Sequence, residues 1–311
     1  MEIFSDLDFD RLSKSVATIG MFDGLHKGHR TLLNELINKA KLADACSVVI
    51  TFWPHPRVVL HQDENELRFL TSVEEKCLML NDLGVDYVLV LPFTLELAQL
   101  TTEEFIAHIL VDKLAISHLV VGYNHRFGKG ENHQFSEYQT LAKTYGFGIT
   151  KVDSVMQDGV KISSTQIRNY LSNNLLDLAN EQLGYNYTLK GMVVYGNQLG
   201  RRINYPTANI QLEDNQKLIP SDGVYACQCH FNGKWWNGMV NIGVRPTISN
   251  NPENRTIEAH LFDFKEDIYN QRLEIALVKK MREEQKFNSI EELKAQLAQD
   301  ETAARTLFEN K

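Results

Sequence analysis

Apolar and polar positions keep two different rhythms along the chain. Up to about residue 170, short continuous apolar runs alternate with stretches in which apolar residues recur every three or four positions. The runs are 16–19 (VATI), 47–52 (SVVITF), 85–91 (VDYVLVL), 118–121 (HLVV) and 148–152 (GITKV). Between them, helical spacing predicts helices over 28–42, 72–83, 101–113 and 135–145. Thr71 or Ser72 can cap the second of these, and Glu74 and Glu75 suit its first turn. Largely apolar runs without strict alternation, separated by helices, predict a parallel sheet covered on both faces. Beyond a polar, partly helical connector at 172–184 the helices stop. Strands are predicted over 187–195, 223–231, 235–244, 256–264 and 272–280, with a hairpin turn at Asn232-Gly233. Several short strands with turns predict a small closed barrel. An amphipathic helix over 288–308 follows, its apolar positions including Ile290, Leu293, Leu297, Ala304, Leu307 and Phe308. The fold class is therefore α/β: a domain over 1–180 built on a parallel sheet, then a domain over 181–311 built on a closed β-barrel with a terminal α-helix.

Bulk properties narrow the partners. At about 150 residues per domain, 311 residues predict two domains, as the change of rhythm does. A hydrophobic fraction of 43% supplies a real core. The net charge of −8 argues against bulk binding of nucleic acid or of an acidic membrane, and leaves room for a local basic pocket. No apolar run reaches the ~18 residues that span a bilayer. The opening MEIFSDLDFDRL lacks the basic start and apolar middle of a secretion signal. Cys46, Cys77, Cys227 and Cys229 are scattered, with no CxxC, and read as reduced thiols in a cytoplasmic protein. No feature of the pattern assigns an oligomeric state.

The candidate chemistry of the first half lies in loops that follow strands. GMFDGLHKGH (20–29) joins a strand to a helix through glycines, the form of a phosphate-binding turn. Gly24 and Gly28 let the backbone approach a phosphate. His26 and His29, three apart at a helix start, are neighbours able to hydrogen-bond a phosphate as charge builds on it. In TFWPHP (51–56), two prolines stiffen the backbone around His55, a nucleotide contact or an exposed side chain of a rigid turn. In GYNHRFGKG (122–130), Asn124 can read a base or ribose, and Arg126 and Lys129 can pair with phosphate. In KISSTQIR (161–168), Ser163, Ser164 and Thr165 precede a helix beginning near Gln166. Hydroxyls at a helix start suit a triphosphate, or simply cap the helix; Arg168 adds charge.

In the second half the chemistry centres on GNQLGRRINYPTAN (196–209). Gly196 and Gly200 allow a loop to fold over phosphates, and Pro206 fixes the entry to a strand. Thr207 and Asn209 then share a face. Their neutral oxygens suit Mg²⁺ where phosphates supply the charge. In TIEAHLFDF (256–264), Ile257, Ala259 and Leu261 fit a core face and put Glu258 and His260 on the other.

HxGH resembles the signature of the nucleotidyltransferases. Together with TFWPHP, GYNHRFG and ISSTQIR in this order, it resembles the adenylyltransferase module of the bacterial bifunctional riboflavin kinase/FAD synthetases. PTAN, GMVNIGVRPT (238–247), Glu258 and MREEQKF (281–287) resemble their riboflavin kinase module. The likeness implies a Rossmann-like nucleotidyltransferase domain followed by a kinase barrel. It implies that ATP phosphorylates riboflavin to FMN in the second and adenylylates FMN to FAD in the first, with Mg²⁺. It implies that His26 and His29 hold the ATP phosphates and that His55, Asn124, Ser164 and Arg168 complete that pocket. Glu258 becomes the general base, and Arg282 borders the flavin. His125 departs from the family, which often carries an apolar residue there. HxGH also resembles the HIGH motif of aminoacyl-tRNA synthetases, but the chain is short and acidic and lacks their lysine-rich loop. A flavin-binding regulator, or a chain with one live activity, stays open on sequence alone.

Overall fold

The computed structural model describes residues 1–61, 67–123, 125–129, 134–196, 200, 203–244 and 255–309. These form two compact units, 1–164 and 165–311.

The first unit runs β1 (Glu2–Phe4), β2 (Ser15–Ile19), α1 (Lys27–Leu42), β3 (Cys46–Trp53), α2 (Pro56–Val59), α3 (Val73–Asp82), β4 (Tyr87–Pro92), α4 (Leu95–Gln99), α5 (Thr102–Phe105), β5 (Ile116–Gly122), α6 (Phe135–Tyr145) and β6 (Gly148–Val152). A short hairpin, β7 (Met156–Gln157) with β8 (Val160–Lys161), completes it. The six-stranded sheet has the order β1-β4-β3-β2-β5-β6 and every pairing is parallel. Successive residues of its strands feed opposite sides. Val16, Val49, Val88 and Val120 pack with Leu32, Leu33 and Leu36 of α1. Ala17, Val48, Leu89 and Leu119 pack with Phe105, Ile109 and Tyr138 on the other face. Both faces are thus buried, which is why the strand sequences show no alternation. The chain winds outward from β2 to β4, then returns to place β5 on the other side of β2. That reversal opens a crevice at the carboxyl ends of β2 and β5, the usual ligand position in such sheets. One expectation is corrected: the helix predicted over 101–113 is α-helical only through α5 and continues as a π-helical segment, Ile106–Val111.

The second unit comprises α7 (Ser164–Ser172, its first residue in the first unit), α8 (Leu176–Leu183), strands β9 (Thr188–Val194), β10 (Ala208–Leu212), β11 (Gly223–Phe231), β12 (Lys234–Val244), β13 (Arg255–Leu261) and β14 (Arg272–Arg282), and α9 (Ile290–Glu309). The six strands close into an antiparallel barrel, β10-β13-β12-β11-β14-β9. Asn232 and Gly233 both take positive φ, 48° and 74°, as a two-residue hairpin turn demands. Helix α9 lays Leu297, Ala304, Leu307 and Phe308 against Ala226, Met239 and Phe262 of the barrel. Ile290, expected on that apolar stripe, is 51% exposed because it sits in the first turn, before the stripe meets the wall.

Candidate functional site

In the first unit, β2 ends at Ile19 and the chain makes a tight turn before α1. Gly24 has φ 79°, which favours glycine. His26 is the N-cap of α1: its Nδ1 accepts the His29 N–H at 3.2 Å. In the neutral imidazole this places the proton on Nε2, which becomes a donor. The rings of His26 and His29 stack with centroids 3.6 Å apart, and Phe22 meets His29 edge-on at 5.3 Å. A Cβ on Gly28 would lie 3.2 Å from the His26 ring, so the described neighbour of that glycine is the histidine.

Burial dominates the electrostatics. It lowers the pKa of His26 to about 4, with Asp23 opposing. His29 is pushed well below its ordinary value by burial, then by His26 and by Lys76. Both imidazoles are therefore neutral at pH 7. Between pH ~6.5 and ~4 the unfolded chain takes up a proton at His26 that the folded chain refuses. Stability present above pH ~6.5 is thus lost as the pH falls, by about 3 kcal/mol from this group. The unfolding temperature of the first unit should fall between about pH 7 and 5, and His26→Asn should flatten that fall. Calorimetry showing the parental slope in the variant would overturn the assignment.

Two residues that sequence reasoning passed over hold this turn. Asp23 is 4% exposed, and its carboxylate accepts from Leu70 N–H, Thr71 N–H and the Thr71 hydroxyl at 3.0–3.2 Å. Thr71, weighed as a helix cap, instead accepts the Gly24 N–H at 3.0 Å, and Ser72 caps α3 in a capping box with Glu75. Lys76 follows on α3, 3% exposed, its Nζ 3.3 Å from Thr51 Oγ1 at the end of β3. Burial lowers its pKa, and Asp23 opposes that shift.

The other expected residues are placed unevenly. The Ser164 hydroxyl donates to Asp23 O at 2.9 Å, closing the turn, and α7 begins at Ser164 rather than near Gln166. Ser163 is half-buried just before it. Arg168 lies one turn further along α7, in the second unit. His55 caps the four-residue α2, accepting the Arg57 N–H at 3.1 Å beside the cis Trp53–Pro54 bond, and its ring leans on Phe69. Arg126 is exposed, and the Lys129 ammonium is bonded to Gln99. The His125 ring leans on Phe127 at 5.3 Å. Asn124 lies outside the described residues, as do 197–199, 201–202 and 245–254 of the second-unit motifs.

In the barrel, Ile257, Ala259 and Leu261 are buried and Glu258 and His260 take the opposite face, as the alternation predicts. Glu258 pairs with Asn209 across β10 and with Asn241 across β12, so the three side chains share one rung. The Thr207 hydroxyl donates to Glu258 Oε2 at 3.4 Å. His260 Nδ1 lies 2.7 Å from Pro206 O, which it can hold as an N–H donor, steadying the segment before Thr207. A Cβ on Gly196 would collide with the Asn209 amide, and one on Gly200 with the Tyr205 carbonyl. These glycines therefore let the backbone at 196 and at 200 come close to Asn209 and Tyr205. Two cavities meet at Thr207. One, ≈ 570 Å³, is walled by Pro206, Ala208 and the loop from Phe264 to Tyr269. The other, ≈ 270 Å³, is lined by Ile203, Met239, Phe287, Leu293 and Leu297 with Glu258 and Arg282. The 264–269 wall went unread because FKEDIY carries no motif.

A parallel α/β unit with a histidine-capped turn at its switch point, followed by a six-stranded barrel carrying a Thr–Glu pair between two cavities, defines a two-module transferase using phosphate substrates. Residues 8–166 match the family model for FAD synthetase, and 183–308 that for riboflavin kinase. Curated relatives match over nearly the whole chain. The bifunctional riboflavin kinase/FMN adenylyltransferase of Escherichia coli (strain K12) is 40% identical, covering 94% of this chain and 92% of its own. That of Bacillus subtilis (strain 168) is 36% identical, covering 96% and 94%. A crystal structure of a protein from Streptococcus pneumoniae described as a macrolide-efflux protein superposes with TM-score 0.88 at 30% identity, covering 98% of each chain. Efflux is that protein's description; here no helix among the described residues is long and apolar enough to cross a membrane. The chain belongs to the bifunctional riboflavin kinase/FMN adenylyltransferase family, with the FAD synthetase module first and the riboflavin kinase module second.

Proposed function

We propose how this chain divides the two reactions among its residues. In the barrel, riboflavin occupies the apolar 270 Å³ cavity and ATP the more open 570 Å³ one. The observation that carries this reading is Thr207, which lines both cavities and bonds Glu258. The terminal hydroxyl of the ribityl chain attacks the γ-phosphorus, Glu258 takes its proton, and ADP leaves. Thr207 and Asn209 offer neutral oxygens beside Glu258, a donor set that fits Mg²⁺ when phosphates complete the shell. The ion, when bound, neutralises charge on the phosphates.

In the first unit, a phosphate oxygen of FMN attacks the α-phosphorus of ATP and pyrophosphate leaves, so no proton need be abstracted. His26 donates from Nε2 and His29 from its ring to the oxygens on which charge accumulates. The His29 Nδ1, buried and without a hydrogen-bond partner among the described residues, is an atom that a bound substrate can satisfy. His55, Arg126, Ser163 and Ser164 are proposed to complete the nucleotide pocket, Lys76 supplies positive charge beneath it, and phosphates rather than a carboxylate cluster hold Mg²⁺ there. The four free cysteines fit the expected cytoplasmic placement, and the net charge of −8 fits small-molecule rather than nucleic-acid partners.

A chromatographic time course with riboflavin, ATP and Mg²⁺ tests the pair. FMN should rise and give way to FAD; FMN alone would remove the first-unit assignment, and neither product from folded protein would remove both. Lys76→Met should slow FAD formation by about tenfold or more while FMN formation continues, since one charged interaction is worth ~1.5–3 kcal/mol. An unchanged rate would assign Lys76 to packing.

A further inference from the structure

Arg282 ends β14 and forms part of the 270 Å³ cavity wall. Its guanidinium is held by Asp300 and by the Glu283 carbonyl. Nε lies 3.0 and 3.1 Å from the two carboxylate oxygens of Asp300, and Nη2 lies 2.7 Å from Oδ2. Nη1 donates to Glu283 O at 3.0 Å. Asp300 is on α9 and is 4% exposed. Its Oδ1 also accepts from Gln296 Nε2 at 2.9 Å, and Gln296 Oε1 accepts from Gln285 Nε2 at 3.3 Å. Gln285 stands on the same cavity wall. A chain of bonds thus leaves the wall at Arg282, passes through Asp300 and Gln296, and returns at Gln285.

Stability alone does not account for this. A buried ion pair gains little over well-packed apolar side chains, and α9 meets the barrel elsewhere through Leu297, Ala304 and Leu307. What a forked guanidinium–carboxylate pair adds is a fixed plane and direction. We infer that Asp300 is a positioning residue of the flavin site: it acts through Arg282, and with Gln296 it holds the wall from Arg282 to Phe287 in register for riboflavin. The terminal helix is then part of the kinase site rather than a cap on the barrel. This rests on the reading of that cavity as the flavin site.

The test is a double-mutant cycle on the full chain, with steady-state FMN formation as readout and the thermal unfolding of the second unit, followed by calorimetry, as the control for folding. Asp300→Asn should raise the KM for riboflavin about tenfold, the worth of one charge-assisted hydrogen bond, with kcat changed far less. In an Arg282→Ala background the same change should add nothing further, and Asp300→Glu should recover part of the loss. Full additivity, or a parental KM in Asp300→Asn beside a raised one in Arg282→Ala, overturns the inference alone. A parental KM in Arg282→Ala removes the flavin assignment of the cavity and the inference with it. Should Asp300→Asn unfold the second unit, Gln296→Leu probes the same brace with the ion pair intact. A raised KM there supports the inference and a parental one overturns it.

Discussion

His29→Ala is expected to abolish FAD formation from supplied FMN while leaving FMN formation from riboflavin at the parental rate. The ring to be removed stacks on His26 beside a turn in which the Asp23 carboxylate is bonded by Thr71 and the Asp23 carbonyl by the Ser164 hydroxyl. Because burial keeps both imidazoles neutral, they act as hydrogen-bond donors of fixed direction rather than as counter-charges. Losing one such donor to a charged transition state costs ~2.7–4 kcal/mol, or ~10²–10³ in rate. The loss should appear in kcat more than in the KM for ATP, since the interaction strengthens as charge moves onto the departing oxygens. His29→Asn, which keeps a donor on a shorter stem, should retain more activity than His29→Ala. The two compact units make the control internal. Equal loss of both products would break the assignment of the reactions to separate units.

The sequence revealed most where one rhythm or one motif determined the outcome. Continuous apolar runs marked β2, β3, β4 and β5, and alternation in β13 put Glu258 opposite Ile257 and Ala259. HxGH was found by spacing, but its internal geometry was not: that His26 caps the helix with its own ring, and that Gly28 makes room for that ring, depends on rotamers that spacing does not encode. Lys76 went unread for a physical reason. In an amphipathic helix a lysine is assigned to solvent, because an isolated buried ammonium is costly. Here the turn carrying Asp23 and the hydroxyl of Thr51 come from elsewhere in the chain to receive it. Asp300 was hidden in the same way, its partner lying 18 residues back on a strand end. The edge strand β1 has only three residues and is exposed along most of its length, too short for periodicity to register. The π-helical segment after α5 had no local signal, since its apolar spacing suits an α-helix equally well.

Glu258→Gln is expected to give the mirror image of His29→Ala: FMN formation lost, FAD formation from supplied FMN retained. The substitution keeps the shape, exchanges one acceptor oxygen for an amide donor and removes the charge with the ability to accept a proton, so what it measures is chemistry rather than packing. Glu258 is held from three sides, by the Thr207 hydroxyl at 3.4 Å, by its register with Asn209 and by its register with Asn241, and a glutamine fits the same rung. General base catalysis contributes typically ~10²–10⁴-fold, and a loss of that size is expected in kcat. Thr207→Ala separates the base from its neighbour. It removes a proposed phosphate and Mg²⁺ contact while leaving the carboxylate, so it should raise the Mg²⁺ concentration needed for half-maximal FMN formation, whereas Glu258→Gln should leave that requirement near the parental value. A normal FMN rate in Glu258→Gln would remove Glu258 from the mechanism. A metal requirement that shifts equally in both variants would make Glu258 a ligand rather than a base.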